Sequence, residues 1–478
     1  MRVSHSPGLV LAAFDDPNLV SCAGLAPVVA LADRCGLAGL VAGTLTLPAK
    51  GGVNAHLKIP ALIAGMVAGA DSIDDMDLLR HGGMDRLFAG VRAPSTLGTF
   101  LRTFSFGHVR QLDSVAATML AELARRTPLL AGADELAYVD IDDTVKVTYG
   151  YAKQGAGFGY SGVKGLNALI ATVSTPLSTP VICATRLRKG STNSARGASR
   201  LVADALKAAK GAGAAGPDGT GLIILRADSA FYSYDVIAAA RRAMVRFSIT
   251  ARMNPAVTAA IGRIEEADYT PITYPNAVWD DDEQRLISDA EIAEITYTAF
   301  TSRRTADHIE GRLIVRRVKR LNPTAIKPNT TKSKQGAAEQ QELFSLYRYH
   351  AVFSDSPLTL VQAEKTHRGH AVIEQVHADL KNGPLAHLPS GSFAANSAWL
   401  VLAAIAFNLT RAAGALASPF HARATLATLR AQLINVPARL ARSARKLGLH
   451  LPEHWPWQSA WEQLWDLTMG APPRLATP

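Results

Sequence analysis

Between residues 136 and 252 the apolar pattern admits few folds. Leu136–Val147 alternates as a strand, and after a Gly-rich turn residues 168–174 and 180–188 read as two more. Residues 192–210 take helical spacing, rich in Ala with Arg and Lys to one side. Residues 222–225 are all apolar, as a buried central strand requires, and a helix over 233–245 and a strand over 247–251 follow. Three strands able to meander, followed by right-handed crossovers, give the α/β class: a mixed sheet with helices on both faces. In that sheet the first strand is central and the fourth pairs beside it. Acids near their ends therefore meet at one edge.

Those acids are present. The first strand carries Tyr138-Val-Asp-Ile-Asp-Asp-Thr-Val145, and the fourth runs into Leu225-Arg-Ala-Asp-Ser229. A third acid, Glu374, lies in His367-Arg-Gly-His-Ala-Val-Ile-Glu374. Burying an unpaired carboxylate is costly, and a divalent metal is one reason to do so. Oxygen ligands suit Mg²⁺, and two ions roughly 4 Å apart clamp the attacking and leaving oxygens of a phosphoryl transfer. The bland reading is an acidic strand end feeding a turn. Alternation puts Asp140 and Asp142 on one face and Asp143 on the other, so Asp142 is the candidate and Asp143 the alternative register. His367, His370, Glu374, His377 and Lys381 recur at helical spacing on one face. Glu374-Gln-Val-His377 has the Glu-x-x-His spacing of di-iron bundles, but such sites also need further Glu-bearing helices, and this reading is set aside. A solvated helix stripe is the remaining alternative.

The rest of the chain bounds the partner. With 478 residues it exceeds one compact domain, and its net charge of +10 favours a polyanion, nucleic acid before membrane surface. Cys22, Cys35 and Cys183 form no Cys-x-x-Cys and fit a reducing cytoplasm. The N-terminal run is cut by Asp15 and Asp16 and is no signal peptide; the apolar runs 59–70 and 398–407 fall short of the ~20 residues of a membrane span. Residues 1–130 look helical. The stretch 83–102 suits a helix-turn-helix, with Ser95 or Thr96 as cap and Arg92, Arg102 and Arg110 towards phosphates. Residues 253–365 read as a β-rich insertion with a basic loop containing Arg316, Arg317, Lys319, Arg320, Lys327, Lys332 and Lys334. No acid occurs from 380 to 452, where Arg439, Arg442 and Lys446 fall at helical spacing, and Trp455, Trp457, Trp461 and Trp465 suit a small core. Gly157-Phe-Gly-Tyr-Ser-Gly162 matches a dinucleotide fingerprint but opens no helix, and there is no Walker A lysine motif.

The order Asp, Asp, Glu, with the last acid on a helix after a β-rich insertion, resembles the DDE transposases of bacterial insertion sequences. One branch carries Tyr-x2-Arg-x3-Glu-x6-Lys; here the same spacing reads His367, His370, Glu374 and Lys381, with His in place of Tyr and Arg. Nearly the whole chain resembles the insertion sequence 1380 family, through Asp140-Ile-Asp-Asp-Thr-Val145, Arg188-Lys-Gly-Ser-Thr-Asn-Ser-Ala-Arg-Gly197, Arg226-Ala-Asp-Ser229, Ala93-Pro-Ser-Thr-Leu-Gly-Thr-Phe-Leu-Arg102 and His370-Ala-Val-Ile-Glu374. The resemblance implies an RNase H-like core over 131–252 and 366–412, interrupted by the insertion at 253–365. A helical DNA-binding region would span 1–130 and a basic helical region 413–478. It implies Asp142, Asp228 and Glu374 as catalytic metal ligands for two Mg²⁺ ions, with Mn²⁺ able to substitute. His367, His370 and Lys381 would steady phosphates. The implied partners are double-stranded terminal repeats and target DNA, bound as a homodimer, in the cytoplasm and at no membrane. Rivals are a nuclease that cuts without joining, a recombinase using Ser229 or Tyr232, and an inactive DNA-binding protein.

Overall fold

A computed structural model describes residues 3–149, 153–159, 162–280, 285–319, 347–443 and 446–470. The chain divides into two compact units, one of residues 1–129, 152–154 and 379–478, the other of 130–151 and 155–378.

The first unit opens with a two-residue strand, β1 (Leu19–Val20), and the helices α1 (Leu25–Arg34), α2 (Leu37–Thr44), α3 (Ala55–Ala68), α4 (Pro94–Leu101) and α5 (Phe106–Arg126). The stretch 83–102 holds a single turn, Met84–Leu87, and then α4, whose cap is Ala93 rather than Ser95 or Thr96. Pro94 takes the first helical position, where its missing N–H costs nothing. Residues 74–79 form a short 3-10 turn in place of an α-helix.

In the second unit, β2 (Leu136–Val147), β3 (Gly157–Phe158), β4 (Lys164–Ser174) and β5 (Val181–Lys189) precede α6 (Ala198–Gly211). Next come β6 (Leu222–Ala227), α7 (Tyr234–Arg242) and β7 (Arg246–Thr250). The insertion adds β8 (Thr270–Asp280), β9 (Arg285–Ala299), β10 (Ile309–Lys319) and β11 (Tyr347–Ser354). Two helices close the unit: α8 (Leu360–Arg368), then α9 (Val372–Lys381), whose last residues belong to the first unit.

One mixed sheet holds all ten strands, in the order β3-β4-β2-β6-β7-β11-β10-β9-β8 with β5 also on β4. β2 pairs antiparallel with β4 and parallel with β6. The sheet is flanked by helices, as in an RNase H-like fold: α6 packs on β4, β5 and α7, and α8 on β7, β9 and β10. The insertion is not a separate layer. β11 pairs antiparallel with β7, with Val352 opposite Thr250, and carries the sheet outward. β8 escapes a periodicity search because it contains Pro271, which the ladder accepts since β8 is the sheet edge. The Gly157–Phe158 segment pairs with β4 and no helix follows it, so the fingerprint match there is fortuitous.

The first unit is completed by α10 (Phe393–Ala417), β12 (Ala438–Ser443), β13 (Lys446–His450) and α11 (Gln458–Met469). α10 is apolar on all sides and packs against α1, α3, α5 and α11, which is why nearly all of it is buried. Its 25 residues run well beyond the apolar stretch 398–407. Among the described residues it is the one single helix long and apolar enough to cross a membrane, and 94% of its most apolar window is buried inside the protein. The helical expectation for Arg439, Arg442 and Lys446 is corrected. They lie on the β12–β13 hairpin, where Ala438 and Leu440 turn inward and Arg439 outward, and β12 pairs with β1. The period of this stretch is two, not 3.6.

Candidate active site

Parallel pairing of β2 with β6 places Asp140 opposite Arg226 and Ile141 opposite Ala227. The next residues are Asp142 and Asp228, which therefore stand side by side where β6 ends. Sites on such sheets form at the carboxyl ends of parallel strands. Asp228 caps a short 3-10 turn, accepting from the Ala230 N–H at 2.9 Å. Asp142 accepts from the Asp143 N–H at 2.7 Å, and His377 Nδ1 lies 3.5 Å from its other oxygen.

The neighbouring aspartates are neutralised by arginine. Asp140, fully buried, takes two 2.7 Å bonds from Arg226 and a third contact, at 3.1 Å, from His370 Nδ1. Burial works against its charge, but Arg226 and His370 outweigh it and hold the carboxyl below the usual range. Asp143 faces the other side and pairs with Arg188, which removes it as the alternative register for the site. Asp142 and Asp228 have no ion pair with Arg or Lys among the described residues. Burial pushes the Asp142 carboxyl up to about 7, and the charge of Asp228 adds to this against the pull of the Asp143 N–H and of His370. Asp228 reaches solvent, yet burial raises its pKa too, opposed by the Ala230 N–H and His370.

Two adjacent acids with raised pKa, facing histidines but paired with no Arg or Lys among the described residues, suit a hard divalent cation held through oxygen. Glu374 is exposed on α9, four residues after His370 and three before His377, so it shares the helix face whose neighbours touch Asp140 and Asp142. It is not gathered with the aspartates: among the described residues no group of three or more His, Cys, Asp or Glu is close enough to hold a metal. Asp142 and Asp228 are oxygen donors of the kind a divalent cation takes, and Glu374 stands apart from them on the helix face of His370 and His377.

Helix α8–α9 is anchored by a buried latch. Arg226 also donates to the Thr366 carbonyl at 2.6 Å and covers the Tyr138 ring at 4.2 Å. The sequence marked Asp140 and Arg226 only as parts of motifs. The signal that identifies them as a pair is an inward-facing acid and base on adjacent strands.

Several expected DNA contacts are corrected. His367 spends both ring nitrogens on β7, Nδ1 with Ser248 Oγ at 3.0 Å and Nε2 with Thr250 Oγ1 at 2.9 Å. Burial, helped by the charges of His370 and Arg226, pushes its pKa down to about 3, so it is a neutral packing residue rather than a phosphate ligand. Arg317 is 2% exposed, bound by Glu266 and Glu291 and sandwiched between the Tyr269 and Tyr347 rings. Arg316 pairs with Glu364 at 3.0 Å, and His370 commits Nδ1 to Asp140. Arg110 pairs with Asp113. Arg102, Lys319, Lys381, Arg439, Arg442 and Lys446 are exposed, Arg439 with an ion pair to Asp16, and Arg92 is half-buried. Arg320, Lys327, Lys332, Lys334 and Arg445 lie outside the described residues. Tyr232 stacks on Phe300 and packs edge-on to Phe353, and burial raises its phenol pKa far above the ordinary value, which makes it a poor nucleophile.

The mixed sheet flanked by helices is consistent with the RNase H-like fold of DDE transposases. The chain matches the family described as Transposase DDE domain group 1 over residues 6–468, and it belongs to that family. No curated protein matches it.

Proposed function

We propose that this chain is the transposase of a bacterial insertion sequence of the insertion sequence 1380 type. In this reading it binds the element's terminal inverted repeats, cleaves the strand at each end, and joins the freed 3′-OH to target DNA. The observation that carries it is the pair Asp142 and Asp228, two carboxylates with raised pKa and no ion pair with Arg or Lys among the described residues, in a chain of this family. Asp142, Asp228 and Glu374 would hold two Mg²⁺ ions, with Mn²⁺ a substitute. Bound there, the ions would supply Lewis-acid stabilisation of the attacking and leaving oxygens. The Asp143 N–H orients one Asp142 oxygen, and the Ala230 N–H does the same for Asp228. The Asp140–Arg226–His370 latch keeps α9 over the strand ends. The exposed Arg102, Lys319, Lys381, Arg439, Arg442 and Lys446 supply phosphate contacts. Pairing of two ends calls for a dimer on DNA, and the expected compartment is the cytoplasm, at the nucleoid.

The test is incubation with the DNA flanking the chain's own gene, with Mg²⁺ or with EDTA, read on a denaturing gel. Metal-dependent cuts at an inverted repeat together with strand-transfer products are expected. Cuts without joining would leave a nuclease, and a covalent protein–DNA adduct a recombinase. Binding without cuts would leave a DNA-binding protein.

A further inference from the structure

The sheet face opposite the aspartate pair carries a second polar cluster, built from β2, β4, β5 and the turn before α6. In register, Asn167 of β4 lies opposite Val145 of β2 and Arg188 of β5 opposite Asn167. Asp143 shares the face of Val145, so Asp143, Asn167 and Arg188 point the same way. Arg188 donates to Asn167 Oδ1 from Nε at 2.9 Å and from Nη2 at 2.7 Å. Its Nη1 reaches the carbonyls of Ser194 at 2.8 Å and Arg196 at 2.9 Å, and Nη2 also binds Asp143. Asn167 Nδ2 donates to Asp143 Oδ2 at 2.6 Å, and Ser194 Oγ to Asp143 Oδ1 at 3.1 Å. All four side chains are buried.

We infer that Arg188, Asn167 and Ser194 act as positioning residues for Asp142, working through Asp143. Both oxygens of Asp143 are held from this cluster. That fixes its Cα and hence the peptide between Asp142 and Asp143, whose N–H donates to Asp142 Oδ1 at 2.7 Å. A buried ion pair stabilises a fold little more than apolar packing of the same volume, so stability alone is a weak reason for this one. A role in aiming a carboxylate is a stronger reason. Outer partners of metal ligands fix ligand orientation, and their loss typically lowers metal affinity or activity 10- to 100-fold. The cluster also explains why α6 starts at Ala198 rather than near 192. The residues before it are clamped to Arg188, and Gly197 turns into the helix with φ 76°.

The inference rests on the proposed metal-dependent function, and one experiment separates the two. Ser194→Ala, Asp143→Asn and Arg188→Lys are compared with the unmodified protein in two readouts. One is the Mn²⁺ concentration at half-maximal cleavage of element-end DNA. The other is the Mn²⁺-induced rise in unfolding temperature of the protein alone. Asp143→Asn and Arg188→Lys are expected to shift both midpoints upward by about 10- to 100-fold, and Ser194→Ala by a few-fold to about tenfold, with KM for DNA unchanged. Excess Mn²⁺ should restore cleavage by Ser194→Ala, which a purely structural defect would not allow. If Arg188→Lys fails to fold, Ser194→Ala decides. Unshifted midpoints in the folded variants, with the unmodified protein responding to Mn²⁺, overturn the inference and leave the function standing. An unmodified protein that neither cleaves nor is stabilised by Mn²⁺ overturns the function itself.

Discussion

Asp142→Asn should stabilise the metal-free protein at alkaline pH and leave it nearly unchanged at acid pH. In the folded chain the carboxyl is pushed from 3.8 to about 7 by burial and by the charge of Asp228. Between those two values the folded state binds more proton than the unfolded state, so the contribution of Asp142 to stability falls as pH rises through that window. About three pKa units at ~1.4 kcal/mol each set a ceiling of roughly 4 kcal/mol. The side chain is 24% exposed and shares its repulsion with Asp228, which lowers the expectation to about 2–3 kcal/mol by solvent screening. Asn keeps an oxygen for the Asp143 N–H and carries no charge. At ~2–4 °C per kcal/mol, Asp142→Asn should raise Tm by about 5–10 °C at pH 8 in EDTA and by little at about pH 3.5, below the unperturbed 3.8. Scanning fluorimetry at the two pH values measures this. Mg²⁺ or Mn²⁺ should then stabilise the unmodified protein and narrow the gap, because it binds the native carboxylates. Equal Tm changes at about pH 3.5 and pH 8, or a variant less stable at pH 8, would refute the electrostatic account of this residue.

Four further outcomes follow from the same structure. Asp228→Asn and Glu374→Gln should abolish cleavage of end DNA while band-shift affinity stays within a few-fold, and a variant that still cuts removes that residue from the site. Asp140→Ala strands Arg226, which is 3% exposed; breaking such a buried pair should cost about 3–5 kcal/mol in denaturant unfolding, and a loss below about 1 kcal/mol would contradict the latch. His367 has the opposite pH sign to Asp142: its folded pKa, pushed to about 3, lies below the ordinary 6.5, so its stability contribution is present above 6.5 and lost as pH falls toward 3. His367→Gln should therefore move the acid unfolding midpoint to lower pH, and an unmoved midpoint counts against a neutral buried ring. Arg442→Ala and Lys446→Ala should weaken end binding and reduce the salt-dependence slope by about one each; an unchanged slope removes the β12–β13 hairpin from the DNA surface.

The sheet is legible because its central strands are apolar and carry acids where β6 ends beside β2. The alternation of Leu136–Val147 and the apolar run leading to Arg226 mark the strands, and the intervening crossover helix sets them parallel. Local pattern failed where tertiary pairing sets the structure. Arg439, Arg442 and Lys446 have spacing compatible with a helix, but β1, more than 400 residues away in sequence, recruits them into a hairpin. The arginines of the insertion show the same limit. A basic run reads as a phosphate surface, whereas Arg317 is claimed by Glu266 and Glu291, distant acids that only folding brings to it. His367 was misread because its partners are neutral hydroxyls on β7, which leave no trace in charge pattern.

The four acids around the strand ends divide by partner. Asp140 meets an arginine from the adjacent strand β6 and Asp143 one from β5, beyond β4; the first fastens α8 and α9, the second ties the turn before α6 to β2. Asp142 and Asp228 have no such arginine among the described residues, and burial raises the pKa of both. Arginine at either would stabilise the fold and end the site, because a paired carboxylate binds a divalent cation poorly. In sites of this type, instability confined to adjacent acids between well-paired neighbours is expected where function resides.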